Sequence, residues 1–292
     1  MRPGGSPEYA ARRACLASGL ACERLDELRQ HATTVFLLPE PEGIVVRVSP
    51  VSLKPRLDTA VELTRRLVAE RFPASEPADM PQPVVEGEHV VTFWKHYPQP
   101  GTGSPPAGHL GALLRSLHEL PAVPVRLPRY EPLGAFRTVL ATCSGLRADD
   151  RDWLANRCRD LLHRYDRLTF PLGEGLIHGD AYPGNLLWDG PSVRLGDWDE
   201  SAVGPRELDL ANTFQGTRFG RSSAELDEFS RRYGYDIRNW PGLSVLCGMR
   251  DLHTLGTYMR RADDGDVAAA GEFAHRIDTL RRGDTDARWE AA

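Results

Sequence analysis

The 292-residue chain lacks any apolar run long enough to span a bilayer. Its opening stretch, Met1-Arg2-Pro3-Gly4-Gly5-Ser6, lacks the apolar core of a signal peptide. These absences predict a cytoplasmic protein without a membrane partner. The five cysteines are odd in number, widely spaced and contain no C-x-x-C, which argues against a disulfide framework or zinc site. There is no internal repeat and no long low-complexity segment. The net charge of −5 provides no bulk basic field for nucleic acid. The sequence does not specify an oligomeric state, and a monomer is the default expectation.

What is present is an ordinary globular composition, 41% hydrophobic and 26% charged, long enough for one large domain or two lobes. Glu8 to Glu27 reads as a helix, with Leu16, Leu20 and Leu25 among its apolar positions. Thr33 to Leu38 and Ile44 to Val48 flank a Pro/Gly turn and read as a hairpin. Leu57 to Phe72 has helical periodicity and should stop at Pro73. Pro83 to Glu86 and His89 to Trp94 form a second hairpin pattern around Gly87-Glu88.

A Pro/Gly-rich link at 96–106 separates this β-rich lobe, residues 1–95, from a mostly helical lobe, residues 107–292. In the latter, Leu110, Leu113, Leu114, Leu117 and Leu120 share a helical face. Arg151 to Leu168 is a second amphipathic helix. Helices are expected from about Pro205 onward, and the polar last ten residues are expected to fray. The fold class is α+β.

The chemistry concentrates in His178-Gly179-Asp180-Ala181-Tyr182-Pro183-Gly184-Asn185, followed by Gly196-Asp197-Trp198-Asp199. Asp180 follows a short strand on a Gly/Pro loop, where a rigid turn can hold a base. Asn185 comes five residues later and Asp197 twelve after that. A carboxylate that aligns a hydroxyl, plus an amide and a carboxylate that hold Mg²⁺, is the set phosphoryl transfer needs. Each residue alone is an ordinary turn or strand-end residue. The three together at this spacing favour the chemical reading.

The pattern H-G-D-x-x-x-x-N with G-D-W-D resembles the aminoglycoside phosphotransferase family, whose fold is protein-kinase-like and bilobal. Pro205-Arg206-Glu207-Leu208-Asp209-Leu210-Ala211 resembles a downstream segment of that family. Leu113-Leu114-Arg115-Ser116-Leu117-His118-Glu119-Leu120-Pro121 resembles its L-H helix. The resemblance implies an O-phosphotransferase with Mg²⁺, ATP or GTP as donor, and a small-molecule hydroxyl as acceptor. It implies Asp180 as the catalytic Asp and Asn185 and Asp197 as metal ligands. His178 and Asp209 would brace the catalytic loop.

In the small lobe the position of the phosphate-gripping Lys is filled by Arg47, which can hold phosphate with a different geometry. A surface-facing strand residue is the plainer reading of Arg47. Its helix partner would be Glu62, or else Glu70. No G-x-G-x-x-G is present, so Leu28 to Thr34 would cover the phosphates, with Thr33 and Thr34 as contacts. Phe93, Trp94 and Lys95 fall where a hinge would meet the purine, although Trp94 is equally well read as a core aromatic.

Asp199, Glu200 and Arg250 are candidates for acceptor binding. The clusters Asp149, Asp150, Asp152 and Glu225, Asp227, Glu228 would suit a cationic acceptor, but acids at helix starts are the stronger reading of them. An antibiotic or related natural product is the favoured acceptor. Choline, homoserine or a sugar-like metabolite is the alternative. A nucleotide-binding pseudokinase and a metal phosphoesterase built on His178 are the competing classes.

Overall fold

A computed structural model describes residues 5–30, 33–101, 103–121 and 124–290. Met1 to Gly4, and His31 and Ala32 of the expected phosphate-covering segment, lie outside the described residues. The chain forms two compact units. The first comprises Met1–Pro105, Glu119–Pro128 and Gly184–Ser201, and the second comprises Pro106–His118, Arg129–Pro183 and Ala202–Ala292.

The first unit opens with α1 (Pro7–Ala17), β1 (Asp26–Gln30), β2 (Thr34–Leu38), β3 (Ile44–Pro50), α2 (Lys54–Ala69), β4 (Val84–Glu86) and β5 (His89–Lys95). The strands form one antiparallel sheet in the order β1-β2-β3-β5-β4. Strand periodicity sorts its two faces. Phe36, Leu38, Ile44, Val46, Val48, Val91 and Phe93 are buried with Ala10, Ala11, Ala14 and Cys15 of α1. Arg47 stands opposite Val35 and Thr92 in the ladder and points to the other face.

The chain continues through α3 (Ala107–Glu119), α4 (Gly134–Thr142), α5 (Ala148–Tyr165) and β6 (Glu174–Ile177). It then makes the hairpin β7 (Leu186–Asp189) and β8 (Ser192–Leu195), which belongs to the first unit. β9 (Ala202–Pro205), α6 (Glu207–Gln215), α7 (Ser223–Tyr233), α8 (Leu243–Asp263) and α9 (Val267–Arg282) complete the second unit. β6 pairs antiparallel with β9. Among the described residues, no helix is long and apolar enough to cross a membrane.

Three expectations are corrected. The first helix ends at Ala17 rather than Glu27, because Gly19 turns the chain at φ +74°. Leu16 is exposed, whereas Leu20 and Leu25 pack on the sheet core from outside the helix. The second helix stops at Ala69, four residues before Pro73, where Arg71 takes φ +64°. The C-terminal residues do not fray through Glu290. Trp289 is buried, donates Nε1–H to Thr279 Oγ1 at 3.1 Å, and lies 4.4 Å from the Arg218 guanidinium.

Candidate active site

In the second unit, the loop after β6 is fastened from behind by one carboxylate. Asp209, two residues into α6 and fully buried, accepts the backbone N–H groups of His178 and Gly179, each at 2.8 Å. Gly179 sits at φ +83°, a conformation that suits glycine, and its carbonyl accepts from Asn212 at 3.2 Å. His178 is fully buried, and its Nδ1 accepts the Asp180 N–H at 3.3 Å.

His118 Nε2 meets Asp209 at 3.1 Å, and its Nδ1 meets the Tyr233 hydroxyl at 2.9 Å. Burial alone would raise the Asp209 carboxyl. The hydrogen bond and charge of His118, with help from His178, hold it below the usual carboxylate value. This chain of contacts fixes the backbone on which Asp180 stands. The Asp180 carboxylate is paired with Arg250 of α8.

The first unit holds the other acids. Asn185 and Gly196 close the open end of the β7–β8 hairpin, with Gly196 N–H donating to the Asn185 carbonyl at 2.8 Å. Asp197 follows at φ +62°, a costly conformation for a residue with a side chain. Its neighbour Trp198 anchors the turn. The indole is buried, donates to the Leu195 carbonyl at 2.8 Å, and meets Phe72 edge-on at 5.8 Å. Asp197 and Asp199 therefore flank a fixed ring.

One nitrogen of Arg47, Nη2, reaches both Asp197 Oδ1 and Asp199 Oδ2 at 2.9 Å. Burial opposes the Arg47 charge, but the two carboxylates outweigh it and raise its pKa above the ordinary value. Asn185 and Asp197 supply neutral and anionic oxygen, the donor types a hard cation such as Mg²⁺ accepts. No group of three His, Cys, Asp or Glu side chains suited to a metal occurs among the described residues. Asn185 and Asp197 are the candidate oxygen donors for such a cation.

Several expected sites fall elsewhere. Glu62 does not hold Arg47. It is exposed on α2 between buried Val61 and Leu63, and Asp197 and Asp199 take its place. Asp199 pairs with Arg47, and Glu200 pairs with Arg56. Thr34 is buried in the sheet, and Thr33 shares a hydrogen bond with Ser49 at 3.2 Å.

Phe93 and Trp94 are core rings. The Phe93 N–H donates to Gln82, its carbonyl accepts from Ala78 and Gln82, and the Lys95 N–H donates to Glu76. These backbone groups are committed to the unit's own structure. The Lys95 ammonium lies 3.7 Å from Glu76. Of the acidic clusters on α5 and α7, Asp149, Asp150 and Glu225 lie in the first turn of their helix. Asp150 pairs with Arg147 and Arg281, Glu225 closes a capping box with Ser222, and Glu228 pairs with Arg231 and Arg232. His118 and Tyr233 were given no role by sequence. The L-H spacing of α3 was the available signal for the first.

Comparison with known proteins now identifies the class. The model of the phosphotransferase enzyme family matches residues 25–246, and the chain belongs to that family. Its five-stranded sheet followed by a mostly helical region is the α+β, kinase-like fold of the family. No curated protein sequence matches the chain.

Among solved structures, an amicoumacin kinase, hAmiN, in complex with AMP-PNP, Ca²⁺ and amicoumacin is 12% identical, with a TM-score of 0.77 over 98% of this chain and 96% of that one. A spectinomycin phosphotransferase, APH(9)-Ia, with ADP and spectinomycin is 14% identical, with a TM-score of 0.68 over 97% and 100%. A choline/ethanolamine kinase family protein from Mesorhizobium loti is 18% identical, with a TM-score of 0.66 over 96% of each chain.

Proposed function

We propose that the chain transfers the γ-phosphoryl group of ATP or GTP to a hydroxyl of an antibiotic or related natural product. The observation that carries the transfer reading is the bracing of the Asp180 loop. A buried, ionised Asp209 holds the two peptide groups that precede Asp180. Such preorganisation is what a reaction limited by orientation requires. Asp180 accepts the hydrogen bond of the acceptor hydroxyl, aligns its oxygen for attack and takes up its proton on a carboxylate oxygen.

Asn185 and Asp197 would hold Mg²⁺, which when bound neutralises charge on the phosphates. Arg47 would hold phosphate oxygens through its planar fork. All three acidic and amide positions are present, which supports turnover over nucleotide binding alone. The amicoumacin kinase and spectinomycin phosphotransferase likenesses support an antibiotic acceptor. The choline/ethanolamine kinase likeness supports the second reading, a metabolite alcohol.

The test is a transfer screen with ATP and GTP against antibiotics, amino alcohols and sugars. An Asp180→Ala variant checked for an unchanged melting temperature serves as control. Phosphorylated product with the parent chain and none with the variant is the expected result. Equal product from both overturns the assignment of Asp180.

A further inference from the structure

We infer that Arg250 selects an acceptor carrying an anionic group, a carboxylate or phosphate, close to the hydroxyl that is phosphorylated. The inference rests on the proposed role of Asp180. Arg250 lies on α8 with its side chain only 13% exposed, and it pairs with the Asp180 carboxylate, which is 24% exposed. A cation thus stands beside the group that must receive the hydroxyl.

The residues that share its half-buried stripe on α8 are Cys247, His253, Thr254 and Thr257, at helical spacing. None is a carboxylate. The neighbouring Asp251 faces away. It is buried, held by Gln215 at 2.9 Å and by Arg218 at 3.3 Å.

A polycationic acceptor needs acids near the reacting hydroxyl, and four of the candidate acids are engaged in ion pairs or a helix cap. Asp199 and Glu200 hold Arg47 and Arg56, Asp150 holds Arg147 and Arg281, and Glu225 caps α7. An ammonium group beside Asp180 would meet Arg250 at like charge. An anionic group would instead draw Arg250 to itself and leave the Asp180 carboxylate to the hydroxyl. Arginine suits this exchange because its guanidinium offers several donors in one plane.

The experiment compares hydroxy acids and phosphorylated polyols with their uncharged analogues and with aminoglycosides, using the full chain and ATP. The parent chain is expected to favour the anionic acceptors. In Arg250→Gln the ratio of kcat/KM for an anionic acceptor to that of its uncharged analogue should fall about 10- to 100-fold, mainly through KM. Arg250→Lys should recover part of it. An equal loss of kcat on all acceptors would reduce Arg250 to a positioning residue for Asp180 and overturn the inference. Preferred transfer to aminoglycosides would also overturn it, and would leave the phosphotransferase reading intact. Absence of transfer to every acceptor would overturn that reading itself.

Discussion

Asp209 and Asp197 are both acids of the phosphotransferase motifs, yet they are built for different work. Asp209 has no exposed surface and spends its oxygens on two backbone N–H groups and a buried imidazole. Asp197 keeps a side chain 34% exposed, in a strained backbone conformation, with one arginine shared between it and Asp199. The first carboxylate is consumed by the fold. The second stays partly exposed and is paired with a side chain rather than with backbone. Burial and hydrogen-bond partner type therefore separate the acid that braces the loop from the one proposed to ligate metal, even where the sequence presents both as a motif Asp.

Substitutions should pull the two apart. Asp209→Ala leaves the His178 and Gly179 N–H groups and His118 without their acceptor and should cost about 3–5 kcal/mol of stability, read from urea denaturation. The acid limb of stability should change with it. Because the folded Asp209 carboxyl lies below its ordinary value, its contribution is complete above about pH 4 and is lost as pH falls through the lowered folded value. Asp209→Asn should flatten that limb, and an unchanged limb would contradict the assignment.

Asp197→Asn should do the reverse. It should lower kcat by roughly 100-fold or more, because charge neutralisation at the phosphates is lost. Stability should stay within about 1 kcal/mol, since Arg47 keeps Asp199. Arg47→Gln should weaken nucleotide binding roughly 10-fold, measured by calorimetry, through loss of charge-assisted hydrogen bonds. Glu62→Gln should change neither nucleotide affinity nor melting temperature measurably, as befits an exposed helix residue. A nucleotide defect in that variant would restore Glu62 as the partner of Arg47.

The contrast also explains what the sequence could and could not reveal. The candidate residues from His178 to Asp199 stand out in the sequence because they are near neighbours in the chain. The β2–β3 and β4–β5 hairpins were legible from β-rich runs around Gly-containing turns. The β1 strand was hidden because Asp26-Glu27-Leu28-Arg29-Gln30 has no apolar alternation, and its pairing with β2 rests on backbone hydrogen bonds. β9 was hidden because Ala202-Val203-Gly204-Pro205 is short and carries Gly and Pro.

The partners of Arg47 lie 150 and 152 residues away, beyond the reach of any helix or strand period. The same holds for Arg250 and Asp180. Trp289 looked like part of a polar tail because a single aromatic gives no periodicity. It is held by the stacking and hydrogen bonding of Arg218, Arg276 and Thr279, which only the packed second unit brings together.

The most direct measurement is the single-turnover rate of γ-phosphoryl transfer to an acceptor by Asp180→Asn at saturating nucleotide, alongside its nucleotide affinity and melting temperature. The expected result is a rate loss of about 10²- to 10⁴-fold with affinity and melting temperature retained. A rate within a few-fold of the parent chain would contradict it.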